Sequence, residues 1–88
     1  MNVTDVVKII ESSIPQSKAY VLDPMNDGQH LQAIVVSPSF EGMMLVQQHQ
    51  AVMKPLKAAF AGELHALALK TFTPQKWAEV KNQFPVQD

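Results

Sequence analysis

Apolar residues Val3, Val6, Val7, Ile10 and Ile14 recur three and four positions apart, the period of one helix face. Thr4 and Asp5 stand where a cap and a first-turn negative charge belong, and Pro15 ends the pattern. Lys18 to Leu22, with Tyr20 and Val21, reads as a short strand. Asp23-Pro24-Met25-Asn26-Asp27-Gly28-Gln29 is rich in turn formers and too long for a two-residue hairpin. His30 to Val36 is the returning strand, ending on β-branched Ile34, Val35 and Val36. Ser37-Pro38-Ser39 breaks it, and Phe40-Glu41-Gly42 forms a turn.

From Met43 to Ala61 the apolar positions Leu45, Val52, Leu56 and Phe60 return to helical spacing. Pro55 falls inside this run and should kink or divide the helix near Met53. Gly62 is placed as its C-terminal cap. Leu64 to Phe72 reads as a third strand with apolar residues on both faces, which points to a central place in the sheet. Thr73-Pro74 opens a last helix with an inner stripe of Trp77, Val80, Lys81 and Phe84, and Pro85 closes it.

The resulting order is αββαβα in one domain spanning residues 1–88, an α/β chain of the α+β kind. A three-stranded mixed sheet with helices packed on one face would bury these stripes economically. The first two strands should pair antiparallel. The third, after a helical crossover, should run parallel to the second by a right-handed connection.

Composition narrows the function more than the fold. The net charge is -1 and every one of the seven basic residues is Lys, so the bidentate fork that reads phosphate and guanine is absent. There is no Cys, which removes disulfides and any self-contained thiolate metal site. Apolar runs are far shorter than the roughly 20 residues of a membrane helix, and Met-Asn-Val-Thr-Asp does not begin a signal peptide; a cytoplasmic protein is expected. No Gly-rich phosphate loop, G-x-S-x-G or H-E-x-x-H motif is present, so a non-enzymatic role is expected.

The three His are the residues that could carry chemistry. His49 lies on the apolar stripe of the main helix, where a half-buried structural His bonded to backbone is the bland reading and a ligand the sharp one. His30 closes the long loop and His65 opens the third strand. Two surface imidazoles supply half a tetrahedral site, so the remaining ligands would come from another molecule. Asp27 or Asp23 could join His30 around a hard metal. Met43 and Met44 suit either an adaptable contact surface or ordinary packing.

Taken together, Asp27-Gly28-Gln29-His30, Val35-Val36-Ser37, Phe40-Glu41-Gly42, His49, Glu63-Leu64-His65-Ala66-Leu67-Ala68-Leu69-Lys70-Thr71 and Thr73-Pro74-x-x-Trp77 resemble the BolA family, nearest its short bacterial branch. The resemblance runs from the first helix to the last. It implies a fold related to the type II KH domain and partnership with a monothiol glutaredoxin of the CGFS type. It further implies a [2Fe–2S] cluster shared in the heterodimer, held by the glutaredoxin Cys, a glutathione thiolate, and His65 and His30 of this chain. Imidazoles in place of thiolates would make such a cluster less negative and raise its potential.

Two departures from the family pattern bear on function. Gln48-His49-Gln50 stands where the family has R-H-R, and no G-x-x-G loop is present. Both weaken the alternative reading, a KH-like DNA-binding transcriptional regulator with Lys54, Lys57 and Lys70 on phosphates. Gln75-Lys76 replaces acidic residues before Trp77, removing half of a capping box. Whether the chain alone is a homodimer is left open by the sequence.

Overall fold

The computed structural model describes residues 2–60 and 66–86, with Ala66 described for its backbone only. The elements are α1 (Val3–Ser13), β1 (Lys18–Leu22), β2 (His30–Val36), a 3-10 turn at Pro38–Phe40, α2 (Leu45–Ala59), β3 (Ala66–Phe72), α3 (Pro74–Val80) and a 3-10 turn at Lys81–Gln83. The order αββαβα is as expected. The cap expected from Gly62, and residues 64–65 of the expected third strand, lie outside the described residues.

β1 pairs antiparallel with β2, and β2 pairs parallel with β3, from His30 opposite Ala66 to Val36 opposite Phe72. The strand order is β1-β2-β3, so β2 is central and β3 is an edge. The expectation of a central third strand is therefore corrected. Its alternating Leu and Ala suggested shelter on both faces, yet Ala68 and Lys70 are exposed, whereas Leu31 and Ala33 through Val36 of β2 are buried.

The helices do not share one face, which corrects the second architectural expectation. α1 and α2 cover one side through Val6, Ile10, Val52 and Leu56, packed on Ala19, Leu31 and Val35 of the sheet. α3 covers the other, where Trp77 packs against Ile34 and Val36 with Tyr20, Phe72, Val80 and Phe84 around it. Strand alternation dictates this split, because Ile34 and Val36 point away from Leu31 and Val35. Ring centroids of Trp77 lie 5.3 Å from Tyr20, 5.7 Å from Phe72 and 5.6 Å from Phe84, an aromatic cluster that stands in for a helix pair. Lys81, expected on the inner stripe, is exposed.

Several termini differ in detail from the expectation. Asn2 caps α1, its side-chain oxygen accepting from the Thr4 N–H at 2.7 Å, so Thr4 is a first-turn residue. α2 is one helix with Pro55 inside it and is not divided there; Val52 and Leu56, both fully buried, anchor the turns on either side. The Ser37-Pro38-Ser39 break is built around fully buried Ser37. Its hydroxyl donates to the Pro15 carbonyl at 2.7 Å and accepts from the Ser39 N–H at 3.1 Å, tying the end of α1 to the end of β2. Among the described residues no helix is long and apolar enough to cross a membrane.

Candidate functional site

The loop from Asp23 to Gln29 is organised by two carboxylates. Asp23 accepts from the Gly28 N–H at 2.9 Å and the Asp27 N–H at 3.2 Å, drawing the chain into a turn. Asn26 and Gly28 take positive φ, 53° and 68°, values for which Asn and Gly are suited. Asp27 then accepts at one oxygen from the N–H groups of Gln29 (2.9 Å) and His30 (3.0 Å). Its other oxygen lies 2.7 Å from His30 Nδ1.

These bonds hold the Asp27 carboxyl well below the ordinary carboxylate range: the His30 N–H contributes most, then the Gln29 N–H, then the His30 ring. The His30 side chain is 54% exposed, and its Nε2 makes no hydrogen bond among the described residues. The carboxylates of Asp27 and Asp23, the groups considered beside His30 for a hard metal, serve the loop itself in this structure. All four carboxylate oxygens are engaged within the loop, and no group of three metal-ligating side chains occurs among the described residues.

The register places His30 opposite Ala66 at the start of β3. His65, the other expected ligand, directly precedes Ala66 in the chain and lies outside the described residues. Beside His30 runs a shallow groove of about 260 Å³, lined by Pro24, Met25, Leu31, Gln32 and Ala68, with Met25 largely exposed. What the described part can do chemically is offer one oriented imidazole next to an apolar rim. That is a partial ligand set.

His49 is elsewhere. It sits half-buried on α2 over the outer end of β3, in a groove with Leu45, Leu69, Lys70, Thr71 and Phe72. The bond to backbone expected of it is not made among the described residues. Met44, Leu45 and Val46, at the start of α2, are each at least 60% exposed, whereas Met43 packs against the core. Lys54 and Lys57 border one groove with Gln50 and Met53, and Lys70 of β3 lines the groove that holds His49.

One residue that sequence reasoning treated only as a lost Arg has a defined role. Gln48 donates to the carbonyls of Met43 (3.0 Å) and Phe40 (3.4 Å) and accepts from the Thr71 hydroxyl at 2.6 Å. It thus fastens the turn before α2, α2 itself and β3 to one another. Its signal in sequence is an uncharged amide on the sheet-facing side of an amphipathic helix.

A family model described as BolA-like protein matches residues 4–76. The acid stress protein IbaG of Escherichia coli strain K12 is 42% identical over 53 residues, covering 59% of this chain and 63% of IbaG. The DNA-binding transcriptional regulator BolA of Vibrio cholerae is 34% identical over 62 residues, covering 70% of this chain and 58% of that protein. The chain thus spans less than two thirds of either relative. The solved structure of a bolA protein homologue from Coxiella burnetii superposes with a TM-score of 0.75 at 30% identity, covering 89% of this chain and 97% of that one.

Proposed function

From the premise that this chain belongs to the BolA family, we propose that it is a non-enzymatic partner of a monothiol CGFS glutaredoxin, acting in the cytoplasm in iron–sulfur cluster trafficking or iron homeostasis. The [2Fe–2S] cluster is cargo shared between the two proteins. The glutaredoxin Cys and glutathione hold one side, and His30 and His65 hold the other.

The observation that carries this reading is the state of His30. Its Nδ1 is occupied by Asp27 and its Nε2 is open, at the end of the sheet where the β2–β3 register begins. Metal-ligating His commonly shows this pattern, one nitrogen on a carboxylate and the other on the metal. A chain without Cys and without a described three-residue metal group needs a partner to complete the site, which fits a shared cluster better than a resident one. When bound, the cluster supplies the redox and transfer chemistry; this chain's residues bind and orient it.

The test is anaerobic cluster reconstitution on a CGFS glutaredoxin with glutathione, followed by visible circular dichroism as this chain is added. A new spectrum saturating at one to one, and lost in His65→Ala, supports the reading. A spectrum identical to that of glutaredoxin alone contradicts it.

A DNA-binding regulator is the second reading, favoured by the name of the Vibrio cholerae relative. Here Lys54 and Lys57 would meet phosphate from one groove and Lys70 from the other. A gel shift on duplex DNA across a salt series decides it, because each phosphate contact contributes about 0.9 to the slope of log K against log salt.

A further inference from the structure

We propose that Asp27 is a positioning residue that fixes the tautomer of His30, so that Nε2 is the nitrogen presented to the shared cluster. This inference deepens the cluster-sharing reading and rests on it. Asp27 Oδ2 and His30 Nδ1 are 2.7 Å apart, a charge-assisted distance. At neutral pH an Asp carboxylate is ionised and has no proton to give. The hydrogen in the bond therefore belongs to Nδ1.

A neutral imidazole carries a single N–H. With that hydrogen on Nδ1, the ligating lone pair is on Nε2 alone. Without a partner, His30 would divide between two tautomers, and part of the population would offer a protonated Nε2 to the metal. Asp27 removes that fraction.

The geometry also explains why the orientation holds on an exposed loop. Oδ1 of Asp27 accepts from the backbone N–H groups of Gln29 and His30, so the carboxylate is tied to the same short segment that carries the ring. Asp23 fixes the preceding turn through the N–H groups of Asp27 and Gly28. The imidazole is thus held from its own backbone outward.

The decisive variant is Asp27→Asn. The amide oxygen can keep the two backbone bonds of Oδ1, while the NH₂ takes the place of Oδ2 and is a donor. Facing a donor, Nδ1 must give up its hydrogen, and the tautomer inverts. Long-range ¹H–¹⁵N correlation spectra of the chain alone, labelled with ¹⁵N-histidine, read this directly.

The expected result is protonated Nδ1 and pyridine-like Nε2 for His30 in the wild type, inverted in Asp27→Asn. A wild-type His30 protonated at Nε2, or a tautomer unchanged by Asp27→Asn, overturns the proposal. In the glutaredoxin complex, Asp27→Asn should weaken capture of the cluster about 10- to 100-fold. In a His30→Ala background it should add nothing, since Asp27 acts only through the ring. An equal loss in that background would show a general loop effect and also overturn the assignment. If the wild type shares no cluster at all, the cluster-sharing reading fails, while the tautomer spectra still decide the role of Asp27.

Discussion

Gln48 and Thr71 are joined by a 2.6 Å hydrogen bond from the Thr hydroxyl to the Gln side-chain oxygen, which fastens α2 to an edge strand. Among the described residues β3 has no strand on its outer side, so this bond, with packing of Leu67 and Leu69 against the core, steadies the strand that follows His65. Gln48→Ala should lower stability by about 1–2 kcal/mol, since the Thr71 hydroxyl and the carbonyl of Met43 lose their partner. Thermal unfolding followed by far-UV circular dichroism checks it. An unchanged midpoint would show that solvent replaces these bonds without cost.

Ser37 is the corresponding fixture on the other side of the turn. Ser37→Ala leaves the Pro15 carbonyl and the Ser39 N–H without their partner at a fully buried site. The expected loss is about 1–3 kcal/mol, read as a lower midpoint in urea with an unchanged m-value. A midpoint equal to that of the wild type would mean the turn repacks around the missing hydroxyl.

Trp77 holds α3 on its face of the sheet almost alone among the residues of that helix. Trp77→Ala should cost about 3–5 kcal/mol, which would leave a chain of this size with little net stability. Trp77→Phe retains the ring stacking with Tyr20 and should cost less than half as much. Equal losses for the two variants would show that the indole shape, and not aromatic packing, is what the sheet requires.

The pH response of the loop has a definite sign. Because the Asp27 carboxyl is depressed in the folded protein, the order it provides is complete above the unfolded value of about 3.9 and is lost as pH falls through the lower folded value. Amide resonances of Gln29 and His30 should therefore keep their positions with respect to Asp27 ionisation from pH 7 down to about 4. A carboxylate-like titration of the Gln29 amide centred at the ordinary Asp value would contradict the bonding described for Oδ1.

The fold was legible wherever the apolar pattern of an element matched the faces it buries. α1 and β1 announce themselves through Val6, Ile10 and Ala19-Tyr20-Val21, and β2 through its buried run from Ala33 to Val36. The position of β3 was not, because Leu67, Ala68 and Leu69 are apolar on both sides and Ala is tolerated at exposed positions as readily as at buried ones. Strand order depends on which edges meet, and a local pattern carries no record of that. The side taken by α3 was recoverable in principle from alternation, since Ile34 and Val36 are apolar on the face that α1 and α2 leave open.

The candidate site divides the same way. His30, His65 and His49 stand out by residue type, but the sequence does not say that Asp27 faces the His30 ring, because that depends on a loop that takes positive φ at Asn26 and Gly28. Gln48 was passed over because an amide among polar helix residues looks like surface. Its role exists only once β3 lies beside α2.

The proposed function requires that two imidazoles of this chain ligate the shared cluster. Pulsed electron paramagnetic resonance on the reduced cluster, with ¹⁵N-histidine placed in this chain and natural-abundance glutaredoxin, reads those bonds themselves. Two strong ¹⁵N couplings are expected, one lost in His30→Ala and the other in His65→Ala. A reduced cluster with no ¹⁵N coupling, or with couplings indifferent to both substitutions, would contradict it.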